Sequence, residues 1–129
     1  MFRLLIAVLC SLVLLFFSSS VSLAAPKKKS PTVSGSLAKN KLSVSANFSN
    51  LTKVKSFTYS LTYDASNGQQ GAGGTVKVSK KNKKLSRKIL LGTCSKNVCT
   101  YHRNVKNLKL SVDFKLKSGG MVSYEKKIR

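Results

Sequence analysis

One stretch decides the fold class of this chain: Phe57-Thr58-Tyr59-Ser60-Leu61-Thr62-Tyr63, in which apolar and hydroxyl side chains alternate without a break. Successive side chains of a β-strand point to opposite faces of a sheet, so this alternation predicts a strand with one face in the core and one in water. The same period of two recurs at residues 42–48 and 108–116. No segment has the 3.6-residue apolar period of an amphipathic helix. The sequence therefore predicts an all-β domain.

Shorter patterns complete the predicted set of strands. They lie at residues 33–37, 76–78, 85–91 and 122–128, which brings the count to seven in a domain of about 100 residues. Turn residues separate the strands: a Gly-rich connection runs from Ser66 to Gly74, an Asn-centred turn occupies residues 80–84, and Ser118-Gly119-Gly120 predicts a hairpin. Strands of this number and spacing predict a single antiparallel β-sandwich, with a closed barrel as the alternative.

Seven strands, the aromatic-rich third strand and the closing hairpin around Gly119 and Gly120 together resemble the fibronectin type III and immunoglobulin-like modules. The resemblance covers residues 33–129 and implies a sandwich that binds, spaces or adheres. The chain departs from the pattern in having no Trp, and Cys94 and Cys99 are too close in sequence for the inter-sheet disulfide of antibody domains. The segment from Gly92 to His102 is also similar to one in short exported proteins of unassigned function.

The N-terminal segment predicts the compartment. Arg3, a continuous apolar run and small residues ending at Ala24 and Ala25 are typical of a secretory signal peptide over residues 1–25. The alternative is a membrane anchor formed by residues 4–23, which is about long enough to span a bilayer. Residues 26–32 predict a basic linker, and residues 33–129 the domain. The protein is therefore expected to be exported, whether secreted, periplasmic or attached to the cell surface.

The cysteines agree with an oxidising compartment. Cys10 lies inside the predicted signal, which leaves the pair Cys94 and Cys99 as a predicted disulfide across a tight four-residue loop. The alternative is a metal site that adds His102, although no fourth ligand is close in sequence. His102 is the only histidine, and only three carboxylates accompany it, so no general acid-base pair is apparent. We expect no enzyme activity, no cofactor and no small-molecule substrate.

Charge restricts the partners. Twenty-four Lys and Arg stand against three acids, for a formal net charge of +21, and only four of the basic residues are Arg. Lysine is a hydrated point charge without the planar fork of arginine, which disfavours specific base reading and favours diffuse attraction to polyanions. Anionic envelope polymers, lipid headgroups and extracellular DNA are the expected partners. Two basic clusters, one at the linker and one at a predicted hairpin tip, supply the candidate contacts: Lys27, Lys28, Lys29, Lys80, Lys81, Lys83, Lys84, Arg87 and Lys88.

Two alternatives stay open for the basic surface. Lysines on the outer faces of strands keep a β domain soluble and oppose edge-to-edge pairing without any partner, as in a passive structural domain. A barrel that stacks single-stranded nucleic acid on Tyr59, Tyr63 and Tyr101 is the second alternative, although the first two residues occupy core positions of their strand. The sequence does not predict an oligomeric state.

Overall fold

A computed structural model describes residues 29–129, so the predicted signal peptide and residues 26–28 of the predicted linker lie outside the described part of the chain. The described residues form nine strands and one short 3-10 helix, Leu51–Lys53. The strands are β1 (Thr32–Leu37), β2 (Ser43–Ser49), β3 (Val54–Ala65), β4 (Gly68–Lys77), β5 (Lys84–Leu90), β6 (Gly92–Ser95), β7 (Val98–Tyr101), β8 (Lys106–Leu116) and β9 (Met121–Lys127).

Seven of the strands form two antiparallel sheets. The first sheet has the order β1-β2-β5 and the second the order β4-β3-β8-β9, while β6 and β7 pair with each other as a separate hairpin. Every pairing is antiparallel. The prediction of an all-β domain with antiparallel strands is confirmed.

One apolar cluster draws on both sheets, because strands of each sheet turn alternate residues toward the other sheet. In β2, Val44, Ala46 and Phe48 are fully buried, and β8 buries its alternate positions in the same way. Phe48 of the first sheet lies 4.3 Å, between ring centroids, from Phe57 of the second. Burying a side chain of this size contributes about 1.5–3 kcal/mol, so the aromatic contacts hold the two sheets together.

Strand β4 corrects the sequence prediction. Residues 68–74 were expected to form a flexible Gly-rich connection, but they belong to a ten-residue strand that pairs with β3 along its whole length. The low strand propensity of glycine hid this strand from the pattern. At Gly73 the backbones approach so closely that an added Cβ would collide with the carbonyl oxygen of Tyr59. Glycine is therefore what lets β4 pair at this position.

The strand count of seven was also too low, because the segment between the cysteines is a hairpin rather than a four-residue loop. Cys94 of β6 pairs directly with Cys99 of β7. Lys96 and Asn97 form the two-residue turn with φ angles of 46° and 67°. Two successive residues with positive φ are the signature of a type I′ turn, whose twist suits the flanking strands. Strands of four residues are too short for a period of two to reveal them.

The basic turn at residues 79–84 is not the hairpin tip that was expected, because β4 and β5 lie in different sheets. Asn82 N donates to Ser79 O at 3.0 Å, which closes the turn, and Leu51 N donates to Lys83 O at 3.1 Å. The chain therefore crosses from the second sheet to the first here. The hairpin around Gly119 is as predicted: Gly119 has a φ of 98°, and Leu116 N donates to Gly120 O at 2.7 Å.

Candidate anion-binding surfaces

The first candidate surface is the end of the two sheets at which the basic turn lies. Here β2 ends beside the start of β1 and β5, and β4 and β8 end beside the start of β3 and β9. Asn50 Nδ2 donates to Ser30 O at 3.2 Å, and Lys117 N donates to Lys53 O at 2.8 Å, so the loops of this end contact one another. Segments that are far apart in sequence therefore meet in one place.

Ten exposed lysines stand on these segments, and we call this surface the lysine end. Within the part of the chain that the structure describes, none of the ten forms a salt bridge, and the segments 29–31, 49–56, 77–84 and 115–121 contain no acid. Uncompensated charges of one sign raise the local potential and attract polyanions. The lysine end consists of Lys29, Lys53, Lys55, Lys77, Lys80, Lys81, Lys83, Lys84, Lys115 and Lys117.

The structure brings most of the sequence candidates together and separates two of them. Lys29 and the four lysines of the basic turn, Lys80, Lys81, Lys83 and Lys84, all belong to the lysine end. Lys27 and Lys28 lie outside the described residues. Arg87 and Lys88 are further along β5 and face opposite sides of the first sheet, because they are consecutive residues of a strand.

Half of the lysine end was missing from the sequence prediction. Lys53, Lys55 and Lys77 stand singly at strand ends, as do Lys115 and Lys117, so they form no charge run. The order of the predicted strands could have shown that these five lysines lie near the basic turn. In an antiparallel arrangement of consecutive strands, residues at alternate chain connections share one end of the sheets. Grouping lysines by connection would have placed these five beside the basic turn.

The three acids of the chain occupy a different surface. Asp64, Asp113 and Glu125 all stand on the outer face of the second sheet, and each has a partner. Asn107 Nδ2 donates to Asp64 Oδ2 at 2.7 Å, and Ser123 Oγ donates to Asp113 Oδ1 at 2.6 Å. Lys109 Nζ lies 3.2 Å from Glu125 Oε1. The positive charge is therefore partly compensated on this face and uncompensated at the lysine end.

His102 and Tyr63 form a hydrogen-bonded pair at the opposite end of the sheets. Tyr63 is 98% buried in the core, and its hydroxyl oxygen lies 2.9 Å from His102 Nδ1. Burial raises the pKa of the Tyr63 phenol, because ionisation would leave a charge in an apolar environment. The phenol therefore stays neutral and anchors the half-buried imidazole. The sequence marked His102 only as an alternative metal ligand, and it did not reveal this contact across 39 residues.

The predicted cysteine pair lies at disulfide distance. The Sγ atoms of Cys94 and Cys99 are 2.10 Å apart and the Cα atoms 4.0 Å apart. Both cysteines are exposed on the β6–β7 hairpin, as is Val98 beside the turn. Within residues 29–129, no group of three or more His, Cys, Asp or Glu side chains is arranged to hold a metal ion.

A cleft next to His102 is the second candidate surface. It lies between the β1–β2 loop and the β7–β8 connection and has a volume of about 500 Å³. Lys41, His102, Arg103 and Lys106 are among the residues that line it, and no acid does. No charge run in the sequence marks the cleft, because Lys41 is about 60 residues away from the other three.

Comparison with known proteins identifies no relative of this chain. A scan against protein-family models finds no match, and searches of curated proteins and of solved structures find no significant one. Over residues 29–129, no helix is long and apolar enough to cross a membrane.

Proposed function

We propose that this protein is an exported, non-catalytic β-sandwich module that binds anionic polymers or surfaces through the lysine end. The observation that carries the proposal is the gathering of ten exposed lysines on segments that contain no acid. Anionic envelope polymers, anionic lipid headgroups and extracellular DNA share the repeating negative charge that such a surface attracts.

The strand order supports a sandwich of the fibronectin type III and immunoglobulin-like kind. In constant-type immunoglobulin domains the first, second and fifth strands share a sheet, and β1, β2 and β5 do so here. The strand β4 pairs with β3 in the other sheet, where variable-type domains place their C′ strand. The β6–β7 hairpin is then an addition between the fifth strand and β8. Apolar side chains from both sheets form the single core that a sandwich requires.

Polyanion binding accounts for the position of the charge as well as its amount. Like charges held together raise the energy of the folded state through mutual repulsion. A polyanion relieves this repulsion and releases the counterions that it had condensed, so its affinity falls steeply with salt. Because nine of the ten side-chain ammonium groups of the lysine end make no described hydrogen bond, they are available for such contacts. The exception is Lys117, whose Nζ donates to Thr52 O at 2.6 Å.

A passive role in solubility is the second candidate, and one residue favours it. Arg87 stands opposite the buried Ala46 in the register of β2 and β5, on the core side of an edge strand, yet it is exposed. A charge at such a position opposes pairing of the edge with another strand. Stacking of single-stranded nucleic acid has less support, because Tyr63 is buried and Tyr59 packs against the core.

The test compares two variants of equal net charge. In the first, Lys80, Lys81, Lys83 and Lys84 of the lysine end are changed to Gln; in the control, the exposed Lys39, Lys96, Lys126 and Lys127 are changed. Binding to a duplex DNA oligonucleotide is measured by fluorescence anisotropy from 20 to 200 mM NaCl. We expect the slope of log K against log salt to fall by about one for each lysine that contacts a phosphate.

The control variant should keep most of the wild-type slope, because its lysines lie away from the lysine end. Equal losses in the two variants would assign binding to net charge alone and favour the passive role. Replacing the DNA by vesicles with anionic lipid, or by heparin, identifies which polymer is bound most tightly at a given salt concentration.

A further inference from the structure

The cleft beside His102 is built from two loops that the fold holds in place. Ser66 N and Ser66 Oγ both donate to Arg103 O, at 3.0 and 3.2 Å. His102 N donates to Leu91 O at 2.9 Å, which ties the same connection to the core. On the other wall, Leu42 N donates to Asn40 Oδ1 at 3.1 Å. The walls of the cleft are therefore preformed.

Two of the six non-glycine residues with positive φ in the described part of the chain line this cleft. Lys41 has a φ of 57° and Asn104 a φ of 54°, and the two residues line opposite walls. Left-handed conformations are unfavourable for residues other than glycine, and they persist where the surrounding structure imposes them. Such strain is found preferentially at ligand-binding sites. At Lys41 the conformation is held by the β1–β2 turn, in which Lys41 N donates to Ala38 O at 2.8 Å.

The polar groups that line the cleft are mainly donors. Lys41, Arg103 and Lys106 form no salt bridge with any residue in the range 29–129. The side-chain oxygen of Asn40 accepts a hydrogen bond from Leu42 N, so the amide N–H groups of Asn40 are left for a ligand. The guanidinium of Arg103 presents a planar fork that matches the oxygen atoms of a phosphate or a carboxylate.

The contact with Tyr63 occupies one ring nitrogen of His102. The Tyr63 hydroxyl oxygen and His102 Nδ1 lie 2.9 Å apart, and the hydroxyl has no other hydrogen-bond partner among the described residues. When the hydroxyl donates this hydrogen bond, the neutral imidazole carries its proton on Nε2, which can donate to a ligand. A site with three cations, an imidazole donor and an amide donor suits a ligand with a charge of −2 and several oxygen atoms.

We propose that this cleft is a binding site for a phosphate monoester dianion, with Lys41, Arg103 and Lys106 neutralising its charge and His102 donating from Nε2. The site is independent of polyanion binding at the lysine end, because it lies at the opposite end of both sheets. The ligand is a terminal phosphate group, whether free or attached to a small molecule or a lipid.

The single histidine of the chain makes the test direct. Proton NMR of the purified full chain gives one imidazole Cε1–H resonance, which is followed as sodium phosphate replaces sodium chloride at constant ionic strength and constant pH. We expect a saturable shift of this resonance. The paired change Lys41→Gln with Arg103→Gln should weaken the apparent affinity at least tenfold. The control pair Lys96→Gln with Lys126→Gln loses the same charge away from the cleft lining and should retain the wild-type affinity.

Two further variants leave Lys41 unchanged, so that a loss of affinity cannot result from misfolding of the loop around Lys41. Arg103→Lys keeps the charge but removes the fork, and we expect an affinity several-fold weaker with an unchanged far-ultraviolet circular dichroism spectrum. Lys106→Gln removes an exposed ammonium and should weaken binding with the fold intact. A linear, non-saturating shift in the wild type, or equal weakening in the control pair, would overturn the proposal.

Other ligands define the chemistry. Glycerol phosphate should bind as inorganic phosphate does, and vesicles containing phosphatidic acid should compete if the lipid is accessible to the cleft. Acetate that binds as tightly as phosphate, or binding of the vesicles alone, would overturn the assignment to a phosphate monoester. The lysine-end variant Lys80→Gln, Lys81→Gln, Lys83→Gln, Lys84→Gln should keep its phosphate affinity while its DNA affinity falls, so the two proposals fail or succeed separately.

Discussion

Phe48 shows how a single residue determines the relation between the two sheets. It is fully buried in β2, and its ring lies 4.3 Å from Phe57 and 6.3 Å from Phe114, both of the second sheet. Aromatic pairs in such tilted and edge-on arrangements contribute about 0.5–1.5 kcal/mol beyond the area they bury. The packing of the first sheet on the second thus depends strongly on one side chain.

Truncation of Phe48 should therefore destabilise the whole domain. We expect Phe48→Ala to lower the free energy of unfolding by about 3–5 kcal/mol, because it removes the aromatic contacts and leaves a cavity. Urea denaturation followed by tyrosine fluorescence measures the change. Phe48→Leu, which keeps most of the apolar volume, is the matched variant and should lose less. A loss below about 1 kcal/mol for the alanine variant would contradict the central role of this ring.

At the scale of the element, the β6–β7 hairpin differs from the other strands. All of its residues are exposed except Gly92, so it buries little apolar area of its own. Its stability comes from the type I′ turn at Lys96 and Asn97 and from the bridge between Cys94 and Cys99. A ring this small stabilises by about 2 kcal/mol at most on the loop-entropy model.

Reduction of the bridge should consequently loosen the hairpin and leave the sheets folded. We expect reductant to lower the melting temperature by no more than about 8–16 °C, which corresponds to about 2 kcal/mol in a domain of this size. Hydrogen exchange, read by mass spectrometry, should accelerate in residues 92–101 and stay slow in β3 and β8. The variant with Cys94→Ser and Cys99→Ser should behave like the reduced protein. Cooperative unfolding of the whole domain on reduction would contradict this expectation.

At the scale of the whole molecule, the distribution of charge matters more than its sum. The three acids and their partners all stand on one face of the second sheet, whereas the lysine end has no acid on its segments. Repulsion between lysines is therefore concentrated in one region. Salt screens it, since the Debye length falls from about 30 Å at 0.01 M to about 8 Å at 0.15 M.

Stability should accordingly rise with salt, and the rise should originate at the lysine end. We expect the urea midpoint to increase between 10 and 150 mM NaCl in the wild type. The variant with Gln at positions 80, 81, 83 and 84 should be more stable than the wild type at 10 mM and respond less to salt. The variant with Gln at positions 39, 96, 126 and 127 should show a smaller gain. Identical behaviour of the two variants would mean that net charge alone sets the response.

The alternation of residues 57–63 was sufficient to predict an all-β fold. Side chains of a strand point alternately to the core and to solvent, and this is a local property that the sequence shows directly. The same argument located β2 and β8 to within two residues. It failed at β4, where the requirement for glycine comes from the neighbouring carbonyl of Tyr59, and at β6 and β7, which are held by a turn and a bridge rather than by a buried face.

The candidate sites also contain some residues that the sequence reveals and others that only the structure brings together. Charge runs such as residues 80–84 are visible in the sequence because their members are adjacent. The remaining lysines of the lysine end, and the union of Lys41 with His102 and Arg103 at one cleft, depend on which strand ends meet. Composition alone predicts an anionic partner, since charge is counted without regard to position. Only the three-dimensional arrangement decided where the positive charge is concentrated, because electrostatic repulsion and attraction act over distances in space and not along the chain.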